Sequence, residues 1–212
     1  MTRTTVAILA LLLPGCGHWG PLKSDLVDAE FVVPRDEARS ASVKLEVPGD
    51  LRVHPGSCSL ADARARYDAE RADARADFEI DEAGHGTLLL AITQRFAPST
   101  KTELDVCLTT ELPLQITAAV GVGDASFDLS GVQLRDFDTA NGTGDTHVDF
   151  GDASVAAAGM NIDTGTGDLT VDAKRATWTG KNTLKIDAGT GDVTVYLPRS
   201  VGVRVSADRG TG

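Results

Sequence analysis

The chain has 212 residues, a formal net charge of −11, 5% aromatic residues, 22 glycines and three cysteines. A 42% hydrophobic content supports a buried core and excludes wholesale disorder. An excess of 31 acidic over 20 basic residues argues against nucleic-acid binding, and no two cysteines stand in the Cys-x-x-Cys spacing of zinc or redox sites.

Residues 1–15 read as an address rather than as part of the fold. Arg3 supplies a short positive region, and residues 6–13 form an apolar run. Eight residues of helix span about 12 Å, far short of the ~30 Å hydrocarbon core of a bilayer. The tetrapeptide Leu13-Pro14-Gly15-Cys16 resembles the lipobox of bacterial lipoproteins. That resemblance implies a signal peptide cleaved after Gly15, a diacylglyceryl thioether on Cys16 and a lipid anchor in a bacterial membrane. An ordinary cleaved signal with a chance cysteine is the alternative. Gly17, in place of a retention-type Asp, leans in family terms towards an outer membrane or the cell surface.

Residues 16–42 carry Pro21, Pro34 and scattered charges without sustained periodicity, and read as a tether. Export implies an oxidising compartment, and with Cys16 lipidated the remaining thiols are an even pair. A disulfide between Cys58 and Cys107 is therefore expected. It would close a loop of 49 residues and contribute about 4 kcal/mol on the chain-entropy account. Two separately buried free thiols are the alternative.

The domain proper is expected over residues 43–212, with a less regular first part at 43–113. Val43, Leu45 and Val47 alternate, then Pro48-Gly49-Asp50 turns into Leu51 and Val53. Residues 61–77 alternate alanine with charge. Helix propensity competes there, but no i, i+3, i+4 apolar stripe appears, so the spacing predicts strand, turn and strand, continuing through Phe78 and Ile80 to Leu88, Leu90 and Ile92.

Residues 114–212 hold an internal repeat. Gly-x-Gly-Asp occurs at Gly121-Val122-Gly123-Asp124, Gly142-Thr143-Gly144-Asp145, Gly165-Thr166-Gly167-Asp168 and Gly189-Thr190-Gly191-Asp192, with spacings of 21, 23 and 24 residues. The runs after these corners alternate strictly. Ala125-Phe127-Leu129, Thr146-Val148-Phe150, Leu169-Val171-Ala173 and Val193-Val195-Leu197 are assigned inward, with Ser126, His147 and the aspartates outward. Glycine suits a tight corner because it tolerates positive φ and close backbone approach. A fixed period of this length predicts an all-β fold, a single right-handed β-solenoid of 21–24-residue coils.

Stacked coils would align three aspartate columns: the corner Asp124, Asp145, Asp168 and Asp192; Asp128, Asp149 and Asp172; and Asp138, Asp163 and Asp187. Solvated ladder residues are one reading. A weak calcium site at Asp145, Asp168 and Asp192 is the other, although the spacing does not match the nine-residue calcium repeats of secreted β-rolls. No other cofactor is expected. The four histidines, His18, His54, His85 and His147, show no metal-ligand spacing and read as surface residues. No Gly-x-Ser-x-Gly elbow or P-loop is present, so catalysis is not expected. Gly210-Thr211-Gly212 begins a fifth corner, and the edge there reads as protected by Arg204, Asp208 and Arg209, or alternatively as a dock for a partner strand.

Four segments, at residues 86–94, 112–117, 121–134 and 195–205, together resemble the toastrack or "putative adhesin" β-solenoid domain of bacterial envelope proteins, related to Lia-type cell-wall stress regulators. The resemblance covers about residues 43–212. It implies a non-catalytic envelope protein whose surface binds an envelope polymer or an envelope protein. An envelope-stress modulator acting through a membrane sensor is the second reading, and a polysaccharide-active β-helix enzyme the third.

Overall fold

The structure, a computed structural model, describes residues 26–95, 101–157, 159–202 and 204. The signal segment, Cys16 and Gly210-Thr211-Gly212 lie outside them. The first six strands are β1 (Leu26–Val33), β2 (Ser40–Val47), β3 (Asp50–Gly56), β4 (Ala61–Asp68), β5 (Ala72–Ile80) and β6 (His85–Gln94). Next come β7 (Glu103–Thr109), β8 (Pro113–Val122), β9 (Ala125–Asp128), β10 (Gln133–Thr143) and β11 (Thr146–Asp149). The last are β12 (Ser154–Val155), β13 (Met160–Thr166), β14 (Leu169–Asp172), β15 (Thr177–Trp178), β16 (Leu184–Thr190) and β17 (Val193–Tyr196). No helix occurs among the described residues.

Period-two alternation makes these strands, and two sheets bury their apolar sides against each other. Sheet A has eight strands in the order β1-β4-β7-β3-β9-β11-β14-β17. Sheet B has nine, along β15-β12-β10-β8-β2-β6-β5, with β13 beside β10 and β16 beside β13. From β8 onward each coil crosses sheet B, as one strand in β8 and β10 and as two short strands in β12–β13 and β15–β16, and then gives one strand to sheet A. The inward residues then stack in register, Phe127 on Val148, Val171 and Val195. Phe127, Phe137, Phe150 and Trp178 run through the core at centroid distances of 5.2, 6.0 and 5.7 Å. Each buried aromatic or aliphatic side chain contributes roughly 1.5–3 kcal/mol.

Two expectations need correction. The chain does not build a single uninterrupted solenoid, because its sheets are mixed. Strands β1, β4 and β5 run antiparallel to their partners, β1 to β4, β4 to β7 and β5 to β6. Direction reverses at the β3–β4 connection, since β3 is parallel to β7 and β4 antiparallel to it, and again at the β5–β6 turn. Between them a tight turn, in which Asp68 accepts the backbone N–H of Glu70 and its carbonyl that of Arg71, carries the reversed chain from sheet A to sheet B. Strand β2 accordingly lies between β6 and β8, and β3 between β7 and β9. The first coil in sequence is an inner coil in space. The second correction concerns the stretch read as tether, where residues 26–33 are β1. Ala29, Phe31 and Val33 are buried there and pack on β4, while Asp28, Glu30 and Val32 face out.

The strand-turn-strand reading of residues 61–80 matches β4 and β5, and Leu88, Leu90 and Ile92 are buried on β6. The inward parity of 125–129, 146–150 and 169–173 also matches. The final coil differs, since Val193 is 46% exposed although it has the same parity as buried Ala125, Thr146 and Leu169.

Candidate binding surface

The outer side of sheet A and the corners carry most of the features singled out above. At each corner the two glycines let successive coils approach. A Cβ on Gly142 or Gly165 would overlap the carbonyl of Gly121 or Gly142 beneath it. Gly144, Gly167 and Gly191 have φ near +135°, at 133°, 138° and 135°, where a side chain is strained.

The corner aspartates form a hydrogen-bonded ladder. The backbone N–H of Asp145 donates to Asp124 Oδ1, that of Asp168 to Asp145 Oδ1 and that of Asp192 to Asp168 Oδ1, each at 2.9 Å. One rung was only half legible in the sequence. Asp50, from the incomplete corner Pro48-Gly49-Asp50, accepts the N–H of Asp124 at 3.0 Å and so starts the ladder one coil earlier. Each of these carboxylates thus satisfies a backbone donor on the next coil.

Asp128, Asp149 and Asp172 also align in register. Each closes an Asx turn, its Oδ1 accepting the N–H of Ser130, Gly151 or Lys174 two residues on. Lys174 Nζ lies 2.8 Å from Asp172 Oδ2, and this hydrogen bond holds the Asp172 carboxyl below its ordinary pKa. The same ammonium sits 4.4 Å over the Tyr196 ring. Beside this column, outward Ser126, His147, Thr170 and Thr194 form a second row in register across four strands.

The third column does not form. Asp163 pairs with Asp187, but Asp138 pairs with Asn161, two residues short of Asp163. The glycine corners set the register. Asp163 and Asp187 stand two residues before their corners and Asp138 stands four before its own.

On sheet B a side-chain chain spans three strands. Ser40 Oγ lies 2.8 Å from His85 Nδ1, Ser42 Oγ lies 2.9 Å from His85 Nε2, and Ser42 donates to Gln115 Oε1 at 2.8 Å. The sequence by itself places His85 only among surface histidines. Its grouping depends on β2 lying between β6 and β8, which no local pattern reveals. His147 is exposed, and His54 lies 3.5 Å from Asp105.

Two open depressions also lie on sheet B. One, about 380 Å³, is lined by Asp136, Asp138, Asn161 and Lys185. The other, about 570 Å³, is a trough over Gly142, Gly165 and Gly189 beside Asp163 and Asp187. No group of three or more His, Cys, Asp or Glu side chains converges as a metal site among the described residues. Cys58 and Cys107 are brought together, Sγ to Sγ 2.7 Å, as two free thiols; the expected disulfide is not formed in this structure.

Residues 23–172 match the family model described as the N-terminal domain of toast_rack, DUF2154. Among solved structures, a "putative cell adhesion protein" from Clostridium sporogenes is 16% identical with a TM-score of 0.69, covering 82% of this chain and 100% of its own. A "putative adhesin" from Bacteroides fragilis is 8% identical with a TM-score of 0.29, covering 81% and 98%. The first of these likenesses shows a shared fold. No curated protein matches the chain.

Proposed function

The chain belongs to the family of the toast_rack N-terminal domain, and from that premise we propose that it is a non-catalytic, adhesin-like or scaffolding lipoprotein of the bacterial cell envelope. Lipid on Cys16 would anchor it, and the two-sheet body, its solenoid crossovers right-handed as strand twist favours, would stand off the membrane. Its outer face would hold an extended envelope polymer.

The observation that carries this reading is the repeated surface of sheet A. Ser126, His147, Thr170 and Thr194 in one row, and Asp128, Asp149 and Asp172 in the next, recur at the strand spacing of about 4.8 Å. A rigid, regular row of donors and acceptors suits a ligand that is itself extended and repetitive. The two depressions of sheet B are open to solvent, unlike the enclosed clefts that take small molecules. The adhesin-type name of the Clostridium protein agrees with export and surface display.

The test is co-sedimentation of residues 17–212 with purified peptidoglycan sacculi. Pelleting with the sacculi is the expected result. Retention in the supernatant would overturn the polymer reading and point to an envelope protein as the ligand.

A further inference from the structure

We propose that Cys58 and Cys107 are a modification site for a disulfide donor, with Cys107 taking the first exchange and Cys58 closing the bond. The sulfurs are 2.7 Å apart, against about 2.05 Å in a formed disulfide, so closure requires less than an ångström of movement. The two thiols are not equivalent. Cys58, in the connection between β3 and β4, is 8% exposed. Cys107 lies on β7 facing outward, opposite His54 of β3 and Asp62 of β4, and is partly exposed. Gly56 makes room for it, since a Cβ there would overlap the Cys107 sulfur.

This geometry fixes the order of events. The Cys107 thiolate attacks one sulfur of the donor disulfide, and the donor's other sulfur departs as thiolate with the electron pair. Cys58 then loses its proton to solvent and attacks Cys107 Sγ, releasing the second donor thiolate. Two protein thiols are oxidised by two electrons, and one donor disulfide is reduced to two thiols. Burial first, and then the neighbouring Cys107, push the Cys58 thiol up to about 12, so it is a poor initial attacker but becomes effective once the mixed disulfide is held against it.

The bond would sit where the repeat breaks. The chain between the two cysteines contains β4, β5 and β6, which include the antiparallel strands that follow the first coil in sequence and flank it in space beyond β7 and β6. Closing the loop clasps that segment to β7. The inference stands apart from the polymer-binding reading, because thiol exchange is read on purified protein without envelope material.

The experiment uses the full chain with Cys16→Ser, reduced and mixed with Ellman's reagent. About two equivalents of thionitrobenzoate should be released per chain, with no adduct retained. Cys58→Ser should release one and keep an adduct on Cys107, whereas Cys107→Ser should react roughly tenfold more slowly. As a measurement on the intact pair, substoichiometric iodoacetamide followed by peptide mapping should label Cys107 first. First labelling at Cys58, or an adduct retained on both sulfurs, would overturn the proposal.

Discussion

Gly167 and Gly159 show at the scale of single residues why the corners need glycine and other positions do not. Gly167 has a φ of 138°, and a Cβ on it would overlap the Gly144 carbonyl. Gly159 has open space around the position of a Cβ. Gly167→Ala is therefore expected to cost about 2–4 kcal/mol, from backbone strain plus overpacking. Gly159→Ala should stay within about 0.5 kcal/mol. Urea midpoints of the two variants measure the difference, and equal midpoints would show that the corner can relax. The Gly-x-Gly-Asp spacing was legible in the sequence because it is local. The role of its aspartate was not, because the donor to each carboxylate comes from another coil.

At the scale of elements, inward parity identifies core positions, but neighbours decide what each one is worth. Phe137 on β10 is fully buried between Phe127 of β9 and Phe150, just past the end of β11. Val193 on β17 has inward parity too, yet it is 46% exposed. Phe137→Ala should lower stability by about 3–5 kcal/mol. Val193→Ala should change it by less than about 0.5 kcal/mol. Thermal or chemical unfolding of both distinguishes burial from parity. Similar losses would mean that Val193 is covered in solution. The failed third aspartate column has the same origin. Parity places Asp138, Asp163 and Asp187 on one face, and register then separates the first from the other two.

For the molecule as a whole, the corner ladder offers an answer to the calcium reading. Asp50, Asp124, Asp145 and Asp168 each spend Oδ1 on a backbone N–H, and the second column spends its Oδ1 atoms on Asx turns. The ladders therefore have an intramolecular function that needs no ion. A chelator is expected to leave the melting temperature unchanged, and a fall on chelation, restored by calcium, would reinstate a cation site. The sequence alone determined the all-β class, the corners, the parity of the repeating strands and the strand-turn-strand at residues 61–80, because alternation and turn chemistry act within a few residues. Only the tertiary structure decided that β2 and β3 lie inside the stack, that residues 26–33 belong to sheet A, that Asp138 is out of column, and that Ser40, Ser42, His85 and Gln115 meet. Backbone hydrogen bonds between strands are nearly indifferent to which strand supplies them. The choice of neighbour therefore falls to the packing of the whole core and to the free edges left by the two chain reversals that flank β4 and β5.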